Sequence, residues 1–265
     1  TTTIRMLLGM VSPTAGEVFV LGQRIGRGGE KPWGSVGYMV ERPYAYAELT
    51  VRENLEALRR LRPGTAGTAV DEVIEQLGLS AYAQRRAGTL SQGNKHRLGL
   101  AKAMLHNPQR LILYEPANGL DPAGIVEVRH LLRGLAKHDG VTIFMSSHIL
   151  GEVARLADRI GIIHEGRLLQ ELDIAALERR RLRWLEVSGR DLEATKGVLA
   201  AEGFTTAASL NGTISLADER AISRPDEIAA LLVRAGQAPT MIKVEHEDLE
   251  HYFLRLVGLD AENGR

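Results

Sequence analysis

Three short stretches of this chain combine residue types that handle phosphate and water. Leu90-Ser91-Gln92-Gly93-Asn94 is a polar, glycine-bearing turn ahead of a helix-like segment. A helix start offers unpaired backbone N–H groups and a positive dipole end, which suits a phosphate. The apolar run Leu111-Ile112-Leu113-Tyr114 stops at Glu115-Pro116. That is the pattern of a buried parallel strand delivering a carboxylate to the sheet edge, where α/β proteins bind their ligands. A second run, Val141 to Met145, repeats the layout and delivers Ser146-Ser147-His148. Taken singly, these are also what a plain helix start, a solvated glutamate and a packed histidine look like. Their order and spacing together point to a nucleotide-hydrolysing machine.

The elements that must position these residues alternate. Thr1 to Met10 has Ile4, Leu7 and Leu8 at helical spacing, broken by Ser12-Pro13. Glu17 to Leu21 and Ser35 to Val40 read as short strands around a glycine-rich loop. Thr50-Val51-Arg52-Glu53 has capping-box form and opens a helix with Leu55, Leu58 and Leu61 on one side. After the 90–94 turn, Leu98, Ala101, Met104 and Leu105 form a helix face that ends near Asn107-Pro108. A strand, a helix from Pro122 to about Lys137 and a further strand follow. Strand, helix, strand alternation predicts an α/β layer with a mainly parallel sheet. Ile149 to Leu156 reads as a helix, and Arg159 to His164 and Leu168 to Leu172 as strands around Glu165-Gly166. The Arg179-Arg180-Arg181 cluster marks a linker, beyond which short strands and helices predict a small α+β domain. Leu249, Phe253 and Leu256 form one side of a terminal helix.

Bulk properties narrow the classes. The 265 residues are 44% hydrophobic, enough for one substantial core and a second small one. Lys+Arg and Asp+Glu both number 33, so no basic excess suggests nucleic acid as a partner. No cysteine is present, which excludes disulfide frameworks and thiolate metal sites. No apolar run approaches the length of a membrane span, and no signal-peptide pattern is seen.

As a set, these motifs resemble the nucleotide-binding subunit of ATP-binding cassette (ABC) transporters, over roughly Thr1 to Leu172. The resemblance implies a P-loop NTPase-like, mainly parallel sheet with a helical subdomain at about 50–105, in an ATP-binding domain spanning 1–178. A small α+β accessory domain would occupy 179–265. ATP and Mg²⁺ are the implied cofactors, and ATP hydrolysis the implied activity. Glu115 falls on the family's catalytic carboxylate, which polarises the attacking water, and His148 on its switch histidine. Ser91, Gln92, Gly93 and Asn94 fall on the signature that clamps ATP held mainly by a second subunit. Asp121, in Asn118-Gly119-Leu120-Asp121, falls on the loop that crosses the dimer interface. Pro43 and Thr50 to Leu55 match the segment where the helical subdomain meets the membrane subunit. The partners implied are an integral-membrane permease and a second nucleotide-binding subunit, with the chain cytoplasmic at the inner membrane face. The Glu247 to Leu254 segment is similar to the ending of ATPase subunits of drug, antibiotic and polysaccharide exporters.

The chain departs from the family pattern at three places. Thr1-Thr2-Thr3 aligns just after the lysine of G-x-x-x-x-G-K-S/T, so the expectation is a chain lacking that phosphate loop and its strand, with an open sheet edge. Thr1 and Thr2 remain as nucleotide contacts, and Thr1 as the Mg²⁺-binding hydroxyl. Tyr114 stands where the family carries an aspartate for Mg²⁺, and tyrosine brings no negative charge at neutral pH. Glu41 stands where most members have glutamine, and is expected to meet nucleotide and Mg²⁺. The rival readings are a regulatory cassette that does not hydrolyse ATP, and a non-transport ABC ATPase. The short span between Glu41 and Leu90 argues against the second, because those proteins interpose long heptad segments there.

Overall fold

The computed structural model describes residues 2–26, 32–40, 44–208 and 212–258, in two compact units, Thr1–Leu156 and Ala157–Arg265. The hairpin expected ahead of the Arg179-Arg180-Arg181 linker, over 159–173, groups with the second unit.

The first unit contains α1 (Thr2–Leu7), β1 (Phe19–Val20), β2 (Gln23–Arg24), β3 (Val36–Met39), α2 (Val51–Arg60), α3 (Ala69–Gln76) and α4 (Gln92–Met104). It continues with β4 (Arg110–Tyr114), α5 (Pro122–Lys137), β5 (Thr142–Ser146) and α6 (Leu150–Leu156). Strands β3, β4 and β5 form a parallel sheet with β4 central. Alternation along β4 sends Leu111 and Leu113 into the large core shared with α2 to α5, while Ile112 faces a smaller cluster with Ile4, Leu8 and Val36. Both faces of β4 are therefore apolar, which is why its sequence reads as a continuous hydrophobic run. Among the described residues β5 pairs with β4 alone, so its outer edge is open. The five-residue strand expected at 17–21 is shorter, because Gly22 turns the chain into the small β1–β2 hairpin.

Helix starts follow the sequence closely. The Thr50 hydroxyl accepts from the Glu53 N–H at 3.1 Å, and the Glu53 carboxylate accepts from the Thr50 N–H at 2.8 Å. This closes the capping box. At β3, a side chain on Gly37 would place Cβ 2.0 Å from the Ala103 carbonyl oxygen, so α4 lies directly on the sheet backbone there.

The second unit contains β6 (Arg159–His164), β7 (Arg167–Asp173), α7 (Ile174–Arg180), β8 (Arg183–Gly189), α8 (Leu192–Ala201), β9 (Thr206–Ala208) and β10 (Ile214–Leu216). After these come α9 (Glu219–Ser223), α10 (Pro225–Arg234), β11 (Pro239–His246) and α11 (Leu249–Leu256). Strands β8 to β11 make an antiparallel sheet in the order β11-β8-β10-β9, the split βαβ arrangement, over a core that includes Leu185, Val187, Leu199, Leu216 and Leu232. Strand β9 and helix α9 were not expected from sequence.

The C-terminal segment works as a clasp within this unit. Asp248 caps α11, the Tyr252 hydroxyl donates to Gln170 at 2.7 Å, and the Phe253 ring meets His164 edge-on. Glu247, only 3% exposed, accepts from Arg255 at 2.7 and 2.8 Å and from the Leu182 N–H at 3.1 Å. Burial alone would raise the Glu247 carboxyl; the Arg255 and Leu182 hydrogen bonds, with the Arg255 and Arg181 charges, outweigh it and hold it below the ordinary 4.5.

Gly37→Ala should destabilise the chain by about 3 kcal/mol in urea unfolding, because a backbone carbonyl blocks the new methyl. Gly134→Ala, on α5 with open space around its Cβ position, should be neutral or slightly stabilising. Glu247→Gln should cost about 2–3 kcal/mol at pH 7, the low end for a broken buried pair because Arg255 is partly exposed. The folded carboxyl is the more acidic form, so its contribution is complete above the ordinary 4.5 and fades as pH falls through the lower folded value. The gap between wild type and Glu247→Gln should therefore close in acid.

Candidate active site at the carboxyl edge of the parallel sheet

Strands β4 and β5 run parallel with Leu113 opposite Met145 and Tyr114 opposite Ser146. The residues that follow each strand consequently emerge at the same sheet edge. Glu115 and His148, 33 positions apart, meet there. The His148 Nδ1 lies 2.7 Å from the Glu115 Oε2, and the His148 backbone N–H donates to the same oxygen at 3.3 Å. An ionised carboxylate only accepts, so the proton of this short contact sits on the imidazole Nδ1. The Glu115 side chain is 12% exposed and that of His148 66% exposed, so the carboxylate is sheltered beneath a ring that faces solvent.

The backbone of Glu115 is bent out of the strand. Its φ is +49°, in the left-handed region, which costs a residue with a Cβ roughly 1–2 kcal/mol. Its N–H donates to the Ser146 carbonyl at 3.0 Å, and its carbonyl accepts from the Asn118 N–H at 3.1 Å. These bonds turn the chain sharply from β4 into the 116–121 loop and aim the carboxylate at the sheet edge.

The signature turn opens α4. Ser91 is the N-cap, and its hydroxyl accepts from the Asn94 N–H at 3.3 Å. Leu90 is buried as an anchor, while Ser91 and Gln92 are exposed. No acidic residue lies in the first turn of α4, so its positive end stays uncompensated, as an anion site requires. A methyl on Gly93 would touch the Leu120 side chain at 3.5 Å, which sets the signature turn against the Asn118 to Asp121 loop. Asp121 is the N-cap of α5, its carboxylate accepting from the Gly124 N–H at 3.0 Å. Thr2 is exposed at the start of α1. Thr1, Glu41 and Pro43 lie outside the described residues. Tyr114 packs against the Ile4, Leu8, Val36 and Ile112 cluster.

Sequence reasoning missed the polar hub beneath loop 44–50. Asn54, almost fully buried, accepts from the Tyr46 N–H at 2.9 Å and donates to the carbonyls of Tyr46, Leu49 and Thr50. The Lys102 ammonium adds bonds to the Tyr44 carbonyl at 2.9 Å and to Asn54 at 3.2 Å. Burial pushes Lys102 below its ordinary 10.5. The hub holds Tyr44 and Tyr46 outward, 74% and 55% exposed, with their rings edge to face at 5.5 Å. An asparagine inside a helical pattern gives no sign of such a role in sequence.

A parallel strand presenting a carboxylate under a histidine, beside a helix start with a free positive end, defines a nucleotide-hydrolysing α/β cassette. Known proteins agree. The model of the family described as ABC transporter matches residues 1–118. The Bacitracin transport ATP-binding protein BcrA of Bacillus licheniformis is 39% identical over 261 residues, covering 97% of this chain and 84% of that protein. The Lantibiotic transport ATP-binding protein SrtF of Streptococcus pyogenes is 36% identical over 170 residues, or 64% of this chain and 72% of that one. A solved ATP binding subunit of an ABC transporter superposes with a TM-score of 0.59 at 26% identity, over 68% of this chain and 75% of its own. The dimeric post-hydrolysis cassette MJ0796 bound to ADP and Pi also gives 0.59, at 21% identity, over 65% and 79% of the two chains. The chain belongs to the ATP-binding subunits of ABC transporters, with their P-loop NTPase fold. It is an ATPase subunit of that type, built to bind nucleotide and to power transport.

The Asp121 cap gives a direct check. Asp121→Ala should lower stability by about 1 kcal/mol through loss of the α5 N-cap, whereas Asp121→Asn, an equally good cap, should retain it in urea unfolding.

Proposed function

We propose that two copies of this chain, or this chain and a related cassette, close around ATP and that Glu115 acts as the base that activates the attacking water. The Glu115 to His148 contact of 2.7 Å carries this reading. It supplies a sheltered acceptor for the water proton, and a histidine whose ring is already fixed by one nitrogen. Phosphoryl transfer needs positioning and charge stabilisation more than covalent chemistry, so the rest of the site is donors. The exposed N-terminus of α4, with Ser91, Gln92, Gly93 and Asn94, offers such donors to the γ-phosphate of the nucleotide held by the other subunit. Asp121 borders the same loop.

Mg²⁺ accompanies the nucleotide in this reading. The described residues contain no group of three or more carboxylates and imidazoles that could hold a metal. Thr1 and Glu41 are the candidate protein ligands, a hydroxyl and a carboxylate, which is the oxygen chemistry that Mg²⁺ accepts. When bound, the ion would offset phosphate charge.

The membrane partner is proposed to dock at Tyr44, Tyr46 and the adjoining α2 surface. Two outward aromatic rings on a loop braced by Asn54 and Lys102 suit a partner helix better than solvent. No helix among the described residues is long and apolar enough to cross a membrane. The proposed partner is a separate integral-membrane permease, with this chain docked on it at the inner membrane face. Since bacitracin and lantibiotic transport name the relatives, an antibiotic-type peptide moved outward is the proposed cargo. A regulatory cassette that does not hydrolyse ATP is the second reading, favoured by the apolar packing of Tyr114 in place of an acid.

Glu115→Gln separates them. In the intact protein with Mg-ATP, turnover should fall by about 100-fold or more while ATP binding is kept. Turnover insensitive to this change would remove the base assignment, and a wild type without turnover would establish the regulatory reading.

A further inference from the structure

Three of the bonds that hold Glu115 come from its own sheet edge: Ser146 on its N–H, Asn118 on its carbonyl and His148 on its carboxylate. A fourth comes from another layer. The Nε2 of His96, on the second turn of α4, lies 3.3 Å from the Glu115 carbonyl oxygen. A carbonyl only accepts, so the imidazole donates from Nε2. The ring is half-buried; burial pushes it below its ordinary 6.5, with the bond to Glu115 opposing, so it serves as a neutral donor near pH 7.

The helix that carries His96 is itself braced. Arg97, the next residue, donates to the Leu77 carbonyl at 3.2 Å and pairs with Glu127 on α5. The Leu120 side chain abuts Gly93 at its start. A braced helix thus touches Glu115, a non-glycine residue held in the left-handed region, at the peptide whose orientation sets the carboxylate.

We propose that His96 is a positioning residue for ATP hydrolysis, fixing the left-handed Glu115 peptide and joining the signature helix to the base of the same chain. This rests on the reading of Glu115 as base. It also gives a route between the two half-sites of one subunit. A phosphate gripped at Ser91 to Asn94 acts on the helix whose next turn holds Glu115, so the signature of a subunit and its own base respond together.

Steady-state ATP hydrolysis by the intact protein tests this with His96→Ala, His96→Asn and His96→Gln. Glutamine carries an N–H at nearly the reach of Nε2, and asparagine is too short. Alanine and asparagine should lower kcat about tenfold or more with the KM for ATP within about twofold, and glutamine should recover most of the loss. Should alanine unfold the chain, the asparagine and glutamine pair makes the same comparison. In a Glu115→Gln background, removing His96 should cost nothing further, because its effect passes through Glu115. Unchanged kcat in the asparagine variant, equal losses in asparagine and glutamine, or losses that add to Glu115→Gln would each overturn the proposal. So would a lowered Tm and raised KM with kcat preserved, the mark of a structural role alone. If Glu115→Gln keeps wild-type turnover, the base assignment falls and this proposal with it, a result distinct from a silent His96.

Discussion

The parallel register of β4 against β5 is the constraint on which the site depends. With Tyr114 opposite Ser146, the chain leaves both strands at one edge, and only then do Glu115 and His148 come within hydrogen-bond reach. A slip of one residue would exchange the two faces of β4, placing Ile112 in the large core and Leu111 and Leu113 against α1. Each face is occupied by a different apolar cluster, so such a slip would cost packing on both sides. On the other flank, the close approach of Gly37 to Ala103 fixes β3 beneath α4. The carboxylate is aimed by packing that extends well beyond the residues touching it.

Helix ends carry a charge pattern of their own. Helices α5, α7, α8 and α11 are capped by Asp121, Asp173, Asp191 and Asp248, whose carboxylates satisfy backbone donors and compensate the local dipole. Helix α4 differs. Its cap is Ser91, a neutral hydroxyl, and the first turn brings no acid. In the proposed function this helix start receives phosphate, which a carboxylate there would repel. The serine therefore satisfies one backbone donor while leaving the positive end available. This distinguishes the signature from an ordinary helix start on physical grounds, which the sequence pattern by itself does not.

What was legible in sequence was what local chemistry determines. The apolar run of β4, the capping box at Thr50 and the strand and helix alternation each follow from residues near one another in the chain. The separate roles of Glu115 and His148 could be named only through family resemblance, and their meeting was not expected, because nothing in two separate strand ends states their pairing. Strand β9 and helix α9 escaped because they are only 3 and 5 residues long, too short for a period to show. Asn54, His96 and Glu247 escaped for another reason. Each is a polar residue with at least one partner distant in sequence, Lys102 for Asn54, Glu115 for His96 and Leu182 for Glu247, and burial converts an unremarked side chain into a hub. The resemblance marked the segment beginning at Glu247 as a family ending, and its work in fastening α11 to Arg180, Arg181 and Leu182 became visible only in three dimensions.

Tyr114 shows how a departure from the family pattern fits the same frame. It lies on the Ile112 side of β4 and packs against the cluster of Ile4, Leu8 and Val36, whereas the Glu115 bonds to Ser146, Asn118 and His148 involve none of its atoms. Replacing an acid by tyrosine at this position therefore changes charge and leaves the bonds that hold Glu115 intact. A carboxylate packed among those side chains would need a cation or several donors to offset its desolvation. Tyrosine removes that requirement and lets the cluster close on its own.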